Sequence, residues 1–251
     1  MNPKIGLRIE RDIANALNNK MVKDVPNNLK FMIKQLFHPV SDESIINAID
    51  YENVFKADIK ISIMDKILNL SIKSGKATTL HKEMIGSFTA FLFENGVSEK
   101  TIETIKLFHF GDDTIDGTGE RRMNYNEIMV KYKDRIAEAN YELNGDRQLV
   151  QKVVSRCMFE GSHPDYVHAD VIYFGDVEYG VFATKQQVLK HIRRKYYSYY
   201  ETLHIGPLIL RPDSRYLDGP VRDERKRNSI TAYWPALEKD IEYIANRYNF
   251  D

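Results

Sequence analysis

Residues 56–76 constrain the fold most, because apolar and polar side chains alternate along them with a period of two. Such alternation is typical of half-buried β-strands, whose successive side chains point to opposite faces of a sheet. A short polar turn at residues 64–66 divides the segment. The pattern therefore predicts two antiparallel strands, and it places Asp58, Ser71 and Lys73 near one end of the hairpin.

The acid and the lysine at this end of the hairpin carry the chemistry that phosphodiester hydrolysis needs. A carboxylate such as that of Asp58 can bind a hard divalent cation. The ammonium of Lys73 can stabilise negative charge developing on a phosphate and help to position or deprotonate the attacking water. Taken singly, Asp58 is more simply a strand-end cap and Lys73 a surface lysine. Their joint placement is what indicates a site.

The hairpin resembles the nuclease signature of the PD-(D/E)xK superfamily of restriction-endonuclease-like enzymes, in which an acid on one strand is followed by an acid-x-Lys triplet on the next. This chain has Ala57 at the proline position and Ser71 where the second metal-binding carboxylate usually stands. Some restriction enzymes resembling this pattern carry Ser-x-Lys and take the missing carboxylate from the following helix. The resemblance therefore points to Glu83, on a helix predicted for about residues 79–94.

Further segments extend the resemblance over most of the chain. They look like one branch of uncharacterised restriction-endonuclease-like proteins and comprise residues 71–75 with 80–83, 108–112 with 115–119, and 205–208. The resemblance implies an α/β fold class, with an α+β mixed sheet flanked by helices and a restriction-endonuclease-like core that carries helical insertions. We expect a single domain over residues 1–251, in which residues 160–251 can form a C-terminal subregion that contacts DNA.

The same resemblance implies the roles of the site residues. Mg²⁺ is the expected cofactor, with Asp58 and Glu83 as its metal ligands and Lys73 beside the scissile phosphate. Ser71 either bonds a water on the metal or simply fills its position. Glu10, on a first predicted helix, matches the place where related nucleases often carry an acid near the metal, although glutamates on helix surfaces are common. The predicted catalytic residues are thus Asp58, Lys73, Glu83, Ser71 and Glu10.

A second segment of alternating residues, 167–185, offers an alternative place for the site. It also reads as a hairpin, and Asp170 and Lys185 are as far apart in sequence as Asp58 and Lys73. The triplet that ends in Lys185 contains no carboxylate, and no Ser-Gly turn follows it. The first hairpin is therefore the preferred interpretation, and the second remains open.

Spacing of apolar residues predicts helices in the rest of the chain. A polar loop at residues 111–122 is either a solvated surface loop or an excursion that touches DNA or organises the active site. The predicted helices cover residues 5–20, 27–37, 79–94, 99–108, 124–159 with a break at 144–146, and 236–248.

Charge and aromatic content indicate how the chain meets a partner. Its 36 basic and 36 acidic residues balance, which argues against a protein that coats DNA through overall positive charge. A site-specific nuclease needs only a local basic cleft, and the C-terminal part is rich in arginine and tyrosine, which bind phosphates and bases. Singly, each such residue is more simply a solvated or packed side chain. The DNA-contact candidates are His81, Arg193, Arg194, Arg222 and Arg225.

Composition sets broad limits on the class of protein. At 251 residues, with 43% hydrophobic and 29% charged residues, the chain matches an ordinary soluble globular protein. It lacks an apolar run of about eighteen residues, so we expect no membrane span, and its first residues do not resemble a secretory signal. Cys157 is the only cysteine. It is expected to be a buried helix residue in a reducing cytoplasm.

The leading hypothesis is a type II restriction endonuclease or a close relative, acting on double-stranded DNA. We expect a homodimer, because two-fold symmetry suits the cutting of two strands at a palindromic site. One alternative is a DNA-binding protein of the same fold that has lost hydrolysis through Ser71, and another is a repair-type nuclease. Cleavage abolished by Asp58→Ala and Lys73→Ala separates the first hypothesis from the second, and discrete fragments separate it from the third.

Overall fold

The computed structural model describes residues 3–51, 56–75, 79–119, 121–195, 197–198, 202–213 and 224–248. Its strands, in chain order, are β1 (Lys20–Met21), β2 (Ile45–Asp50), β3 (Ile59–Ile63), β4 (Lys66–Lys73), β5 (Thr79–Met84), β6 (Val171–Gly175), β7 (Gly180–Thr184), β8 (His204–Ile205), β9 (Leu208–Pro212) and β10 (Ser229–Tyr233).

The helices lie between groups of these strands along the chain. They are α1 (Pro3–Leu17), α2 (Asn27–Leu36), α3 (Ile85–Glu94), α4 (Glu99–Phe110), α5 (Tyr125–Lys131), α6 (Lys133–Gly145), α7 (Arg147–Ser155), α8 (Lys185–Arg194), α9 (Glu224–Arg227) and α10 (Leu237–Tyr248), with a 3₁₀-helix at Val22–Asp24 and a π-helix at Arg156–Glu160.

The chain divides into two compact units. Unit 2 consists of two insertions into the sequence of unit 1, so its residues separate parts of unit 1 along the chain. The organisation of the whole chain as a single domain stays a prediction. Unit 1 comprises Met1–Thr78, Met158–His191 and Ala236–Asp251, and unit 2 comprises Thr79–Cys157 and Ile192–Pro235.

Unit 1 is built around a mixed six-stranded sheet in the order β1-β2-β3-β4-β6-β7. Its neighbouring strands are antiparallel except β4 and β6, which run parallel. The predicted hairpin is confirmed, since β3 and β4 pair with Ile59 opposite Leu70. Helix α1 packs against β2 and α10 against β7. This mixed sheet flanked by helices confirms the predicted fold class.

The alternation along β3 explains why it folds as a strand at this place in the sheet. Every second side chain of β3 is buried and the two between them are only partly so, the buried ones being Ile59, Ile61 and Ile63. Their buried face joins a core that includes Ile13 of α1 and Ile33 of α2. Burying each such side chain contributes about 1.5–3 kcal/mol. This packing fixes the register of the hairpin and hence the side on which Asp58 lies.

Unit 2 contains an antiparallel four-stranded sheet in the order β5-β10-β9-β8, with α3 to α7 in the same unit. The prediction of one helix over residues 79–94 is wrong for its first part, because Thr79–Met84 forms β5 and the helix begins at Ile85. Glu83 lies opposite Ile230 in the ladder with β10. Because β10 is distant in sequence, the local spacing of apolar residues contains no trace of this pairing.

Most other predicted elements are confirmed. The first two helices, the helix after residue 99 and the last helix agree with α1, α2, α4 and α10, and the second hairpin agrees with β6 and β7. The predicted break at 144–146 lies where α6 ends and α7 begins. Cys157 is buried within the π-helix. Within the described ranges, every helix is too short or too polar to cross a membrane.

Candidate active site

The carboxylate of Asp58 lies where the chain enters β3, and it binds the edge of β4. Its Oδ2 accepts hydrogen bonds from Ile72 N at 2.5 Å and from Ser71 Oγ at 3.2 Å. Asp58 N donates to Leu70 O at 2.7 Å, which extends the β3–β4 ladder by one residue. Backbone and side chain of Asp58 are therefore both held by β4, and its carboxylate has a defined position.

The ammonium of Lys73 lies beside the same carboxylate. Its Nζ is 3.4 Å from Asp58 Oδ2 and donates to Ile72 O at 2.8 Å. The side chains of Lys73 and Asp58 are 21% and 18% exposed, so both are shielded yet can be reached from solvent. The structure thus brings Asp58, Ser71 and Lys73 together, as the alternation in the sequence indicated. Their catalytic roles stay predictions.

Glu10, on α1, is electrostatically coupled to this group. Partial burial, followed by repulsion from the negative charge of Asp58, raises the pKa of Glu10 from 4.5 to about 7, against the opposing effect of Lys73. Asp50 adds a smaller contribution in the same direction. A carboxyl group held close to other carboxylates loses a proton less readily, because two like charges would then face each other. Glu10 is therefore close enough to feel the charge of Asp58, and its role in the site stays a prediction.

Asp50 is a member of this charged group that the sequence analysis missed. It ends β2 and lies opposite Ile59 in the β2–β3 ladder. The local signal is limited to three isoleucines at positions 45, 46 and 49, a residue type favoured in strands, because the alternation appears in the burial of β2 and not in its sequence. A strand at residues 45–50 would have placed Asp50 at the same end of the sheet as Asp58.

Glu83 and His81 lie in unit 2, on β5, and they share one buried network. Glu83 Oε1 contacts His81 Nε2 at 2.9 Å, and Arg156 donates to both carboxylate oxygens at 3.0 and 2.7 Å. Burial alone would raise the pKa of Glu83, but the hydrogen bonds from His81 and Arg156 outweigh it and hold the pKa below its usual value. Both oxygens of Glu83 are engaged, so a metal would have to displace one of these partners. Its role as a metal ligand stays a prediction.

Arg156 is the partner of Glu83 that the sequence analysis did not identify. Its guanidinium forms two parallel bonds to the carboxylate and lies 4.5 Å from the centre of the Phe91 ring. Such a fork-to-fork pair is stronger and more directional than a single contact. No local motif marks Arg156, because its partner is distant in sequence.

The donors around Asp58 fit a hard divalent cation. Asp58 Oδ2 and Ile72 O already share a positive group, the ammonium of Lys73, which indicates an environment of oxygen atoms that favours a cation. Mg²⁺ is usually bound by one or two carboxylates, with water and substrate oxygens completing its shell. Asp58 and Glu10 can supply two carboxylates. The described part of the chain has no group of three or more His, Cys, Asp or Glu side chains arranged to hold a metal.

The alternative site in the second hairpin is not assembled in this way. Asp170 Oδ2 accepts a hydrogen bond from Asn69 N at 2.9 Å, whereas Lys185 Nζ contacts Glu160 Oε1 at 2.7 Å. The side chains of this acid and lysine thus have different partners, although Lys185 N donates to Asp170 O at 2.9 Å. The geometry favours the first hairpin.

The arginines predicted to contact DNA are exposed where the structure describes them. Arg193 and Arg194 are on the last turn of α8, and Arg225 is on α9. Arg222 lies outside the described residues. Exposure leaves these guanidinium groups accessible to a phosphate backbone, and DNA contact stays a prediction.

The polar loop after α4 is anchored in unit 2 by a buried ion pair. Arg227 donates to the carboxylate of Asp112 and, at 2.5 Å, to Gly117 O. His109 Nε2 contacts Arg227 O at 2.7 Å, and burial lowers the pKa of His109 to about 4. The loop is therefore tied to the interior at Asp112 and Gly117 and is more ordered than a solvated surface loop. Contact of this loop with DNA stays a prediction.

Comparisons with known proteins return one similar structure that we describe. The fold is similar to that in the crystal structure of the restriction endonuclease MspI in complex with its cognate DNA, at 14% sequence identity and a TM-score of 0.41, over 82% of this chain and 76% of that chain. A likeness at this TM-score carries no argument about function. No family model matches the chain, and no curated protein matches it.

Proposed function

We propose that this protein is a Mg²⁺-dependent endonuclease that hydrolyses phosphodiester bonds of double-stranded DNA at specific sites, in the manner of type II restriction enzymes. The observation that carries the proposal is the pairing of Asp58 with Lys73 at one end of β4, 3.4 Å apart. The charge of Asp58 also reaches Glu10. Acids that can bind a cation and an ammonium that can face a phosphate are thus grouped in one place.

Each residue has a role in this proposal. Asp58 and Glu10 hold the divalent cation, which when bound polarises a phosphoryl oxygen as a Lewis acid. Lys73 stabilises the negative charge that develops on the phosphate and helps to orient the attacking water. Ser71 donates to Asp58 and keeps its carboxylate facing β4. Glu83 takes no metal-binding role in this proposal, because His81 and Arg156 bind both of its oxygens, and a variant tests the ligand role that the resemblance implies for it.

Recognition of DNA is the second part of the proposal. Exposed arginines such as Arg193, Arg194 and Arg225 contact phosphates or guanine edges. A homodimer would place two copies of the site about a two-fold axis, which matches a palindromic DNA site. Because basic and acidic residues balance over the chain, binding depends on local charge and not on net charge.

Incubation of the purified protein with unmethylated plasmid and phage DNA tests the proposal. Cleavage into discrete bands should require Mg²⁺, should stop with EDTA, and should be lost in Asp58→Asn. Asp170→Asn is the matched control, because Asp170 also follows an alanine and precedes a strand of the same sheet. A smear in place of discrete bands would favour a nuclease without sequence specificity, such as a repair enzyme.

The substitution at Ser71 favours a second candidate function, a DNA-binding protein that has lost hydrolysis. Serine carries no negative charge, so the group around Asp58 has one carboxylate fewer than the pattern it resembles. Duplex binding measured without metal distinguishes this candidate. Tight binding of specific duplexes, together with no cleavage in Mg²⁺ or Mn²⁺, would replace the nuclease proposal with it.

A further inference from the structure

A cavity of about 230 Å³ lies within unit 2, between the loop before α5 and the end of β9. Its walls combine two arginines, Arg122 and Arg211, with apolar and aromatic side chains that include Phe108, Tyr125 and Ile128. Its lining, taken from the described residues, contains no carboxylate. Positive charge and flat apolar surface therefore meet in one cavity.

Arg211 supplies a charge that is not neutralised by the rest of the described chain. Its guanidinium carbon lies 4.4 Å from the centre of the Tyr233 ring, an arrangement in which the ring face attracts the cation and limits its motion. Among the ion pairs between described residues, none involves Arg211. A guanidinium that is oriented by an aromatic ring and has no carboxylate partner among the described residues can bind an anion.

Arg122 forms a buried part of the wall. It is 7% exposed, and its Nη2 donates to His109 O at 2.6 Å. The left-handed backbone of Gly111 makes room for this wall, because a Cβ there would meet Ile128 Cδ1 at 2.6 Å and Arg122 Cγ at 3.5 Å. The shape of the cavity is therefore set by buried packing and not by a mobile surface side chain.

The volume limits what the cavity can hold. Pockets for drug-sized ligands measure about 300–1,000 Å³, whereas an apolar cavity of about 150 Å³ holds benzene. A cavity between these sizes suits one planar ring system. The aromatic and aliphatic walls suit the faces of that ring, and the arginines suit a negative group attached to it.

We propose that this cavity binds a nucleotide, with the base against the Phe108 and Tyr125 side and the phosphate at Arg211. The preference for a nucleotide over other planar anions rests on the proposed function, since an endonuclease acts on a polymer of nucleotides. The cavity itself does not depend on hydrolysis. The ligand can come from two sources, a free mononucleotide or an unpaired nucleotide within a strand.

Calorimetric titration in EDTA tests the proposal without cleavage. The probes are dAMP, dGMP, dCMP and TMP, with deoxyadenosine and inorganic phosphate as partial ligands, and a short single-stranded oligonucleotide and its duplex as the second source. At least one mononucleotide or the single strand should bind more tightly than either partial ligand. Arg211→Gln should weaken that binding by roughly 10- to 100-fold, as expected for loss of a hydrogen bond between charged groups.

Two further variants keep the test decisive. Arg121→Gln is the matched control, because Arg121 neighbours Arg122 but is exposed, pairs with Glu127 and does not line the cavity. Arg211→Lys keeps the positive charge, and its nucleotide affinity is measured in place of that of Arg211→Gln if the glutamine variant does not fold. It should weaken binding less than the glutamine does.

Loss of binding in Arg211→Gln with full binding in Arg121→Gln supports the site, and the probe that binds identifies the source. Absence of binding by the wild type, equal binding by Arg211→Gln, or equal binding of phosphate alone overturns it. Repeating the titration with Asp58→Asn separates the two proposals. If the nuclease proposal fails, nucleotide binding in the cavity can still be measured. If the cavity proposal fails, DNA cleavage can still be measured.

Discussion

Two hairpins of unit 1 carry an aspartate followed, fifteen residues later, by a lysine, at positions 58 and 73 in the first and 170 and 185 in the second. In the first hairpin the ammonium of Lys73 lies 3.4 Å from the carboxylate of Asp58. In the second, the ammonium of Lys185 contacts Glu160 and the carboxylate of Asp170 accepts a backbone hydrogen bond. The same spacing in sequence brings the acidic and basic side chains together in the first hairpin, whereas in the second hairpin these side chains contact different residues.

Strand direction accounts for where each aspartate meets β4. β4 lies between β3, to which it is antiparallel, and β6, to which it is parallel. Asp58 precedes β3 and therefore lies beside Ser71, close to the carboxyl end of β4. Asp170 precedes β6 and therefore lies beside Asn69, two residues earlier on β4. Both aspartates bind the same strand from opposite edges, but only the first lies next to the lysine that ends it.

The largest effect expected is on cleavage when the two aspartates are compared. Asp58→Asn should lower the single-turnover rate by about 10³-fold, because a lost charge contact to a catalytic cation costs several kcal/mol in the transition state. Asp170→Asn should leave the rate close to that of the wild type. Quenched gel assays at saturating enzyme measure both rates. Equal losses in the two variants would mean that the hairpins do not differ in function.

Substitution of the two lysines tests the same comparison of the hairpins, with a smaller expected effect on the cleavage rate. Lys73→Met should lower the cleavage rate by about 10²-fold, the usual result of removing one group that stabilises developing charge. Lys185→Met removes a partly exposed pair with Glu160, worth at most about 1 kcal/mol of stability, and should leave the rate unchanged. Duplex binding in EDTA serves as the control for folding. A Lys73→Met variant that cleaves normally would remove Lys73 from the mechanism.

The sequence allowed the first hairpin and its charged end to be predicted because the information is local. Period-two alternation determined β3 and β4, and a short turn placed Asp58 against Ser71 and Lys73. The same reasoning failed at residues 79–84, where the apolar spacing of Leu80 and Met84 suits a helix. Pairing with β10 overrides that preference, and the arginine partners of Glu83 and of the polar loop are likewise brought in from distant segments.

A third prediction concerns the source of the second carboxylate for the first hairpin. Glu83→Gln should lower the free energy of unfolding by about 3 kcal/mol, since Arg156 then lacks its counter-charge. It should leave the Mg²⁺ concentration for half-maximal cleavage unchanged. Glu10→Gln should raise that concentration while the protein remains folded. Urea unfolding and Mg²⁺ titration of the cleavage rate measure the two quantities. The reverse pattern would identify Glu83 as the ligand, as the resemblance implies.

The smallest effect expected is on stability, and it depends on the burial of Glu10 and on its repulsion by Asp58 of the first hairpin. Burial and the charge of Asp58 raise the pKa of Glu10 from 4.5 to about 7, so the folded protein binds more protons than the unfolded chain between these pH values. Stability should therefore fall as pH rises through this window and stay lower above it. Glu10→Gln removes this loss and should gain about 1 kcal/mol above pH 7 in EDTA, after allowance for solvent screening.

The predicted gain in stability is measured by urea unfolding of the wild type and Glu10→Gln. The measurements cover the pH range from 4.5 to about 7, with metal removed by EDTA. The two proteins should be equally stable below pH 4.5, where Glu10 is protonated in both states, and should diverge as the pH approaches 7. Asp170→Asn provides the contrast, because it weakens a hydrogen bond to Asn69 N and should cost about 1 kcal/mol. Parallel curves for wild type and Glu10→Gln would show that neither burial nor the charge of Asp58 raises the pKa of Glu10 in the folded protein. The Asp58–Lys73 pair of the first hairpin would then act without electrostatic coupling to Glu10.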